Sequence, residues 1–202
     1  MSLGCNNMLI HKPFFAVLGL ALGLLLTGCV TSNIADPSAG GFLARGKLSA
    51  RPGTAGVPFR PITANFVWRQ EGETFDIELW GPLGQGRNRL TGTTQSVEWV
   101  DAQGQRQVSP DPQGLMQAQF GWSLPLEALP FWMQGRLPAR PRPTQEQRSP
   151  NGDLLSAQQN DWSLQFSRFK DHPKAGATVR RPGLVRGQNA ELQVSISIRE
   201  WR

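Results

Sequence analysis

The residue best placed for covalent chemistry is Cys29, which closes the run Leu26-Thr27-Gly28-Cys29 directly behind thirteen unbroken apolar residues, Phe14 to Leu26. A branched apolar residue, two small ones and a cysteine make the pattern of bacterial lipoprotein precursors. The small residues let an extended backbone enter a peptidase groove, and the thiol is the nucleophile that takes up diacylglycerol. Thirteen apolar residues are too few to cross a bilayer as a helix but match the core of a signal peptide. The expected organisation is therefore a signal peptide over 1–28, a lipidated N-terminus and tether over 29–41, and a folded domain over 42–202. The competing reading is an ordinary secretory signal with an incidental cysteine. Met8 would serve as a start as well as Met1.

Cleavage before Cys29 has further consequences. Cys5 leaves with the signal, so the mature chain keeps one cysteine, the acylated one, and no disulfide is expected. Lys12 is the only charge removed, so the net charge of +6 falls to +5. Val30 follows the anchor where an Asp would mark inner-membrane retention, which implies sorting to the outer membrane.

Other residues that could do chemistry point elsewhere. Gly41-Phe-Leu-Ala-Arg-Gly46-Lys47 has phosphate-loop spacing until Leu48 takes the position of the magnesium-holding Ser or Thr. Gly81-Pro82-Leu83-Gly84-Gln85-Gly86 leads into a strand and not a helix N-terminus, so it is no phosphate cradle. His172 stands beside Pro173 in an expected loop, with no cysteine to pair with. Asp76 and Glu78 fall on the outer face of a strand and are expected to be solvated. No metal-ligand cluster, catalytic residue or cofactor is expected, and the chain is expected not to be an enzyme. Seven tryptophans with a basic charge could suit nucleic acid, but a periplasmic location removes that partner. Arg136, Arg140, Arg142 and Arg148 could equally touch phospholipid headgroups or be a solvated loop.

These residues need a frame, and the periodicity is mostly that of strands. Alternation over Ala64–Trp68, Phe75–Leu79, Trp162–Phe166 and Glu191–Ile198 puts apolar residues on one face. Ser96–Val100 and Gln105–Val108 form a hairpin. Asp111 with Pro112 predicts a helix that closes at Gly121. Ser123 and Pro125 predict a second over Leu126–Met133, stopped by Gly135, which Pro130 must kink or split. A Pro/Arg-rich loop spans 137–152. About ten antiparallel strands with one helical insertion argue for a barrel or half-barrel covered by helices. Whether its interior is solid or hollow stays open.

Four stretches carry a family resemblance: Phe42–Leu48 as a first strand, Ala64–Gln70 as a second, Trp80–Gly86 as a hairpin tip, and Gly121–Gly135 as a lid. In order and spacing they resemble the LolB family, outer-membrane lipoproteins that receive other lipoproteins from the periplasmic carrier LolA and insert them into the outer membrane. The resemblance covers most of 42–202. It implies a mainly β fold, an unclosed antiparallel β-barrel with a helical lid over a hydrophobic cavity for acyl chains. The implied partners are LolA, triacylated lipoproteins as cargo and outer-membrane phospholipid, with the chain itself a monomer. The family's helix before the first strand is expected to be missing or vestigial, since only Val30–Gly41 is available for it. A structural envelope lipoprotein, or a binder of another lipid, is the alternative.

The site residues follow. Leu83, flanked by Pro82 and Gly84, sits mid-loop where polar residues are usual. It is either folded back or offered to something apolar, and the resemblance implies a loop that engages the membrane. Expected cavity-lining residues on the strands are Phe66, Trp68, Phe75, Ile77, Leu79, Trp99, Leu164, Phe166, Val194 and Ile196. The lid would add Leu115, Met116, Leu126, Leu129, Trp132 and Met133. Each alone could be ordinary core.

Overall fold

The computed structural model describes residues 41–55, 58–174 and 176–202. The expected signal peptide, Cys29 and the missing or vestigial first helix lie outside the described residues. Among the described residues there are thirteen strands: β1 (Phe42–Pro52), β2 (Ile62–Glu71), β3 (Thr74–Trp80), β4 (Asn88–Gly92), β5 (Val97–Val100), β6 (Arg106–Ser109), β7 (Thr144–Arg148), β8 (Leu154–Gln159), β9 (Trp162–Ser167), β10 (Lys170–Lys174), β11 (Ala177–Arg181), β12 (Leu184–Gln188) and β13 (Leu192–Trp201). Two helices, α1 (Pro112–Phe120) and α2 (Leu129–Met133), lie between β6 and β7.

Eleven strands make one antiparallel sheet in the order β6-β5-β4-β3-β2-β1-β13-β12-β9-β8-β7, and β10 pairs only with β11. The first and last long strands thus meet at the centre, while β6 and β7 are the two free edges, so the barrel does not close. That order dictates the lid. The chain leaves one edge at β6 and must reach the opposite edge at β7, so the segment holding both helices crosses the open face.

Side-chain alternation decides which face is covered. On β1, Phe42, Ala44, Leu48 and Ala50 are buried, and on β13 Leu192, Val194, Ile196 and Ile198 are. Gly46 sits at the β1–β13 register shift. A Cβ there would collide with the Ser197 carbonyl and the Phe66 ring, so its missing side chain is what lets the two strands approach around an aromatic.

The helices are set by their caps. Asp111 Oδ1 accepts the Gly114 N–H at 2.9 Å, Pro112 opens the first turn, and Gly121 at φ 75° closes α1 with its N–H on Gln117 O. The second helix is shorter than its sequence pattern predicts. Leu126–Ala128 form a turn, and α2 begins at Leu129. Pro130 therefore occupies the first helical turn, where its missing N–H costs nothing, and no kink is needed. The expected loop over 137–152 contains β7, and His172 lies in β10 rather than a loop.

Asp76 and Glu78 are on the outer face, but they are ion-paired rather than simply solvated. Arg89 grips Asp76 through Nε at 2.9 Å and Nη2 at 2.8 Å. Arg69 bridges Asp76 and Glu78 at 3.4 and 3.2 Å, and Arg87 also holds Glu78. The hydrogen bond and charge of Arg89, with those of Arg69, hold the Asp76 carboxyl below its ordinary value against the partial burial that would raise it. A depressed folded-state pKa means stability that is present at neutral pH and lost as pH falls through the folded value, below about pH 4. The partners are half exposed, which limits the effect. Asp76→Asn is expected to cost up to about 1 kcal/mol at neutral pH and progressively less as pH falls below about 4, as urea denaturation at a series of pH values would show.

Candidate functional site

Between the covered face and the lid lies a partly open apolar cavity. Phe66, Trp68, Ile77, Leu79, Trp99 and Ile196 line it from the sheet, and Met116, Leu126, Leu129 and Met133 from the lid. These ten expected residues come together. Six others do not line it: Phe75, Leu115, Trp132, Leu164, Phe166 and Val194 are buried in the same continuous apolar core. Trp132 instead packs on Trp162, with ring centroids 5.5 Å apart. Five lining residues were missed: Leu48, Leu90, Phe120, Trp122 and Leu124. Alternation on β1 and β4 could have found Leu48 and Leu90. Leu124 lies outside any helix or strand, with no period to reveal it.

Aromatic rings form the cavity's lid-side wall. Phe120 meets Trp99 edge-on at 4.9 Å and stacks on Trp122 at 5.3 Å, so the end of α1 is clamped between sheet and lid indoles. The indole N–H groups of Trp99 and Trp122 are both buried without an acceptor among the described residues. Each such orphan costs about 1–3 kcal/mol.

The open volume is small, about 40 Å³. One water occupies about 30 Å³ of liquid, so the lid is closed on its own aromatics and no acyl chain fits as the side chains stand. Whether a chain could open it is a matter of magnitudes. Exposing all seven lid side chains that line it, at about 2 kcal/mol each, costs on the order of 14 kcal/mol. Sheltering an acyl chain of about fifteen carbons recovers on the order of 12 kcal/mol. The two terms are of the same size, so only a guest that lifts part of the lid and covers what it exposes gains from entering.

The lid's two halves are held differently. Near α2, Trp132 Nε1 donates to Gln159 Oε1 at 3.0 Å, and Gln159 Nε2 donates to the carbonyls of Pro138 and Pro141, both at 2.9 Å. One buried glutamine so ties lid, following loop and β8 together. At α1 the polar tie to the sheet is the exposed pair Gln119–Gln107.

The β3–β4 loop projects from the frame. Gly81 N–H bonds Gln85 O at 2.8 Å, Gly84 N–H bonds Gly81 O at 3.0 Å, and Asn65 Nδ2 reaches Gly81 O at 3.3 Å. Pro82 and Leu83 thus occupy the centre of a hydrogen-bonded turn, with Gly84 at φ 84° beyond it. Arg87 stacks over Trp80 at 4.9 Å across the loop base. Braced this way, Leu83 cannot fold back, and it is 92% exposed, the most exposed large apolar residue described.

Other candidates carry no reactive arrangement. His172 packs against Trp201 at 6.5 Å, and burial, with the charges of Arg181 and Lys170, lowers its pKa. Among the described residues there is no group of three or more metal-ligating side chains, and no helix is long and apolar enough to cross a membrane. Arg148 lies on β7 and pairs with Glu146 at 2.9 Å.

Comparison with known proteins agrees with this architecture. The family profile described as "Outer membrane lipoprotein LolB" matches residues 41–201. Among similar proteins, the outer-membrane lipoprotein LolB of Cellvibrio japonicus is 30% identical over 158 residues, 78% of this chain and 75% of the relative. That of Stutzerimonas stutzeri is 30% identical over 162 residues, 80% and 74%. That of Francisella tularensis subsp. tularensis is 31% identical over 140 residues, 69% and 66%. With a match along nearly the whole described sheet and lid, the chain belongs to the LolB family of outer-membrane lipoproteins.

Proposed function

We propose that this chain, held at the outer membrane by acyl groups on Cys29, accepts triacylated lipoproteins from the carrier LolA and inserts them into the bilayer. The observation that carries the reading is an apolar cavity whose lid joins two free sheet edges, with an exposed leucine braced on the β3–β4 loop. A lipoprotein's acyl chains cannot cross water unprotected, at about 0.8 kcal/mol per methylene. With no nucleotide to drive it, transfer runs downhill from carrier to this cavity and on to lipid.

One observation favours the alternative of a structural envelope lipoprotein, namely the nearly filled interior. The two readings separate in one experiment. Liposomes containing the full lipidated chain are mixed with LolA preloaded with a triacylated lipoprotein, and cargo arrival in the membrane is followed. Delivery at least ten times faster than to protein-free liposomes supports transfer. Equal rates with folded protein overturn it in favour of the structural reading. In cells, Cys29→Ala is expected to shift the protein from the membrane to the soluble fraction while leaving it folded. Retention on the membrane would exclude Cys29 as the anchor.

A further inference from the structure

Arg181 is the one charged residue buried in the described structure, at 3% exposure. It ends β11, and its guanidinium lies over the Trp201 ring, 4.4 Å from the centroid. Its only hydrogen bond is a long one, from Nη2 to Gln134 Oε1 at 3.5 Å, and its Nε has no acceptor. No carboxylate among the described residues lies within ion-pair distance of it. A buried cation without a counter-charge is costly, and an indole face offsets only part of that cost.

The neighbouring charge makes matters worse. Burial first, and then the charge of Arg136, lower the Arg181 pKa, with no carboxylate acting in the opposite direction. Arg136 is exposed and likewise has no ion-pair partner among the described residues. Both arginines and Gln134 line one cleft of about 330 Å³ between the end of the lid and the β10–β11 hairpin. Asp153 and Arg180 also line it, but they neutralise each other, with Arg180 Nε 3.1 and 3.0 Å from the two Asp153 oxygens. Arg180 is further tied to Asp171 at 3.3 Å. The three arginines and two carboxylates here sum to +1, and the two arginines without a carboxylate partner are Arg136 and Arg181.

We propose that this cleft binds a phosphate-class oxyanion, anchored from below by Arg181 and capped from the solvent side by Arg136, with Gln134 alongside. Guanidinium forks match tetrahedral oxyanions, and a bound phosphate takes both cations at once while giving Arg181 the acceptor it lacks. The residues that would hold it are distinct from those of the apolar cavity, except that Gln134 directly follows Met133. The anion thus sits at the lid's anchored end. Inorganic phosphate and a phospholipid headgroup share this chemistry.

The test uses the full chain in a zwitterionic detergent and measures binding of inorganic phosphate and of dihexanoylphosphatidylglycerol, below its micelle concentration, by calorimetry. Saturable binding of either probe is expected, weakened at least tenfold in Arg181→Met and several-fold in Arg136→Gln. Arg136 is exposed, so that second variant folds whatever becomes of the first. Tighter binding of the lipid than of phosphate identifies a headgroup as the source, and equal binding identifies the free anion. No saturable binding of either probe, or binding that both substitutions leave unchanged, overturns the site.

Discussion

Leu83→Glu is expected to leave the protein folded and able to accept cargo while slowing delivery into bilayers at least tenfold. The side chain is 92% exposed, so its replacement removes no packing, and stability should move by no more than about 0.5 kcal/mol. In lipid the arithmetic reverses. A buried leucine gains about 1.5–3 kcal/mol, whereas an acidic residue at membrane depth costs about 2.5–3.5 kcal/mol. Even half of that difference exceeds the 1.4 kcal/mol that corresponds to tenfold. The bracing matters here: the turn from Gly81 to Gly84 and the Asn65–Gly81 bond hold the tip out at little further entropic cost. Denaturation midpoints and carrier-to-protein transfer should match wild type, with only the liposome step impaired. Unchanged delivery by Leu83→Glu would remove the loop from the mechanism.

The second large effect concerns stability. Trp132→Ala is expected to cost about 3–5 kcal/mol. It empties a site 2% exposed, removes the stack on Trp162 and strips Gln159 Oε1 of its donor. For a domain of this size each kcal/mol shifts Tm by about 2–4 °C, so a drop of ~10 °C is expected in thermal denaturation. Trp132→Phe keeps most of the ring contact and loses the hydrogen bond, and its cost should fall near 1–2 kcal/mol. If both variants stayed within ~1 kcal/mol of wild type, α2 could not be the lid's fixed end. The same comparison bears on function, because the two halves of the lid are held unequally. A buried glutamine holds α2 through Trp132 and the following loop through Pro138 and Pro141, whereas α1 is tied to the sheet by surface Gln119–Gln107. Lid opening by an acyl chain should therefore lift α1, with Met116 and Phe120, and pivot at α2.

The parts of this fold legible in the sequence are those in which one local rule acts alone. Strict alternation on β13 and β3 placed Ile196 and Ile77 facing inward, and Asp111, Pro112 and Gly121 bounded α1. Legibility failed where rules compete. Pro130 is equally compatible with a kinked helix and with the first turn of a shorter one, and only packing of Leu126–Ala128 as a turn decides. Strand β7 is exposed on both sides and β10 is Lys-Asp-His-Pro-Lys, so neither shows an apolar period. The cavity was legible as a set of inward residues but not as a volume. Phe120 and Trp122 flank a helix-ending glycine, where no face is defined, and they are the rings that help fill it. The burial of Arg181 had no signal at all, since an arginine in a polar hairpin looks solvated until the hairpin is seen to fold over Trp201.

The central claim is that cargo acyl chains enter between lid and sheet, and the most direct measurement is photo-crosslinking. Cargo lipoprotein carrying a diazirine near the end of one acyl chain is passed from LolA to the full chain, irradiated, and the adducts are mapped by mass spectrometry. Adducts concentrated on Phe66, Trp99, Met116, Leu126 and Ile196 are the result expected, because these residues meet only inside the cavity. Adducts confined to the outer sheet face or to Leu83, with the lid and inner strands unlabelled, would contradict the account and leave the interior a structural core.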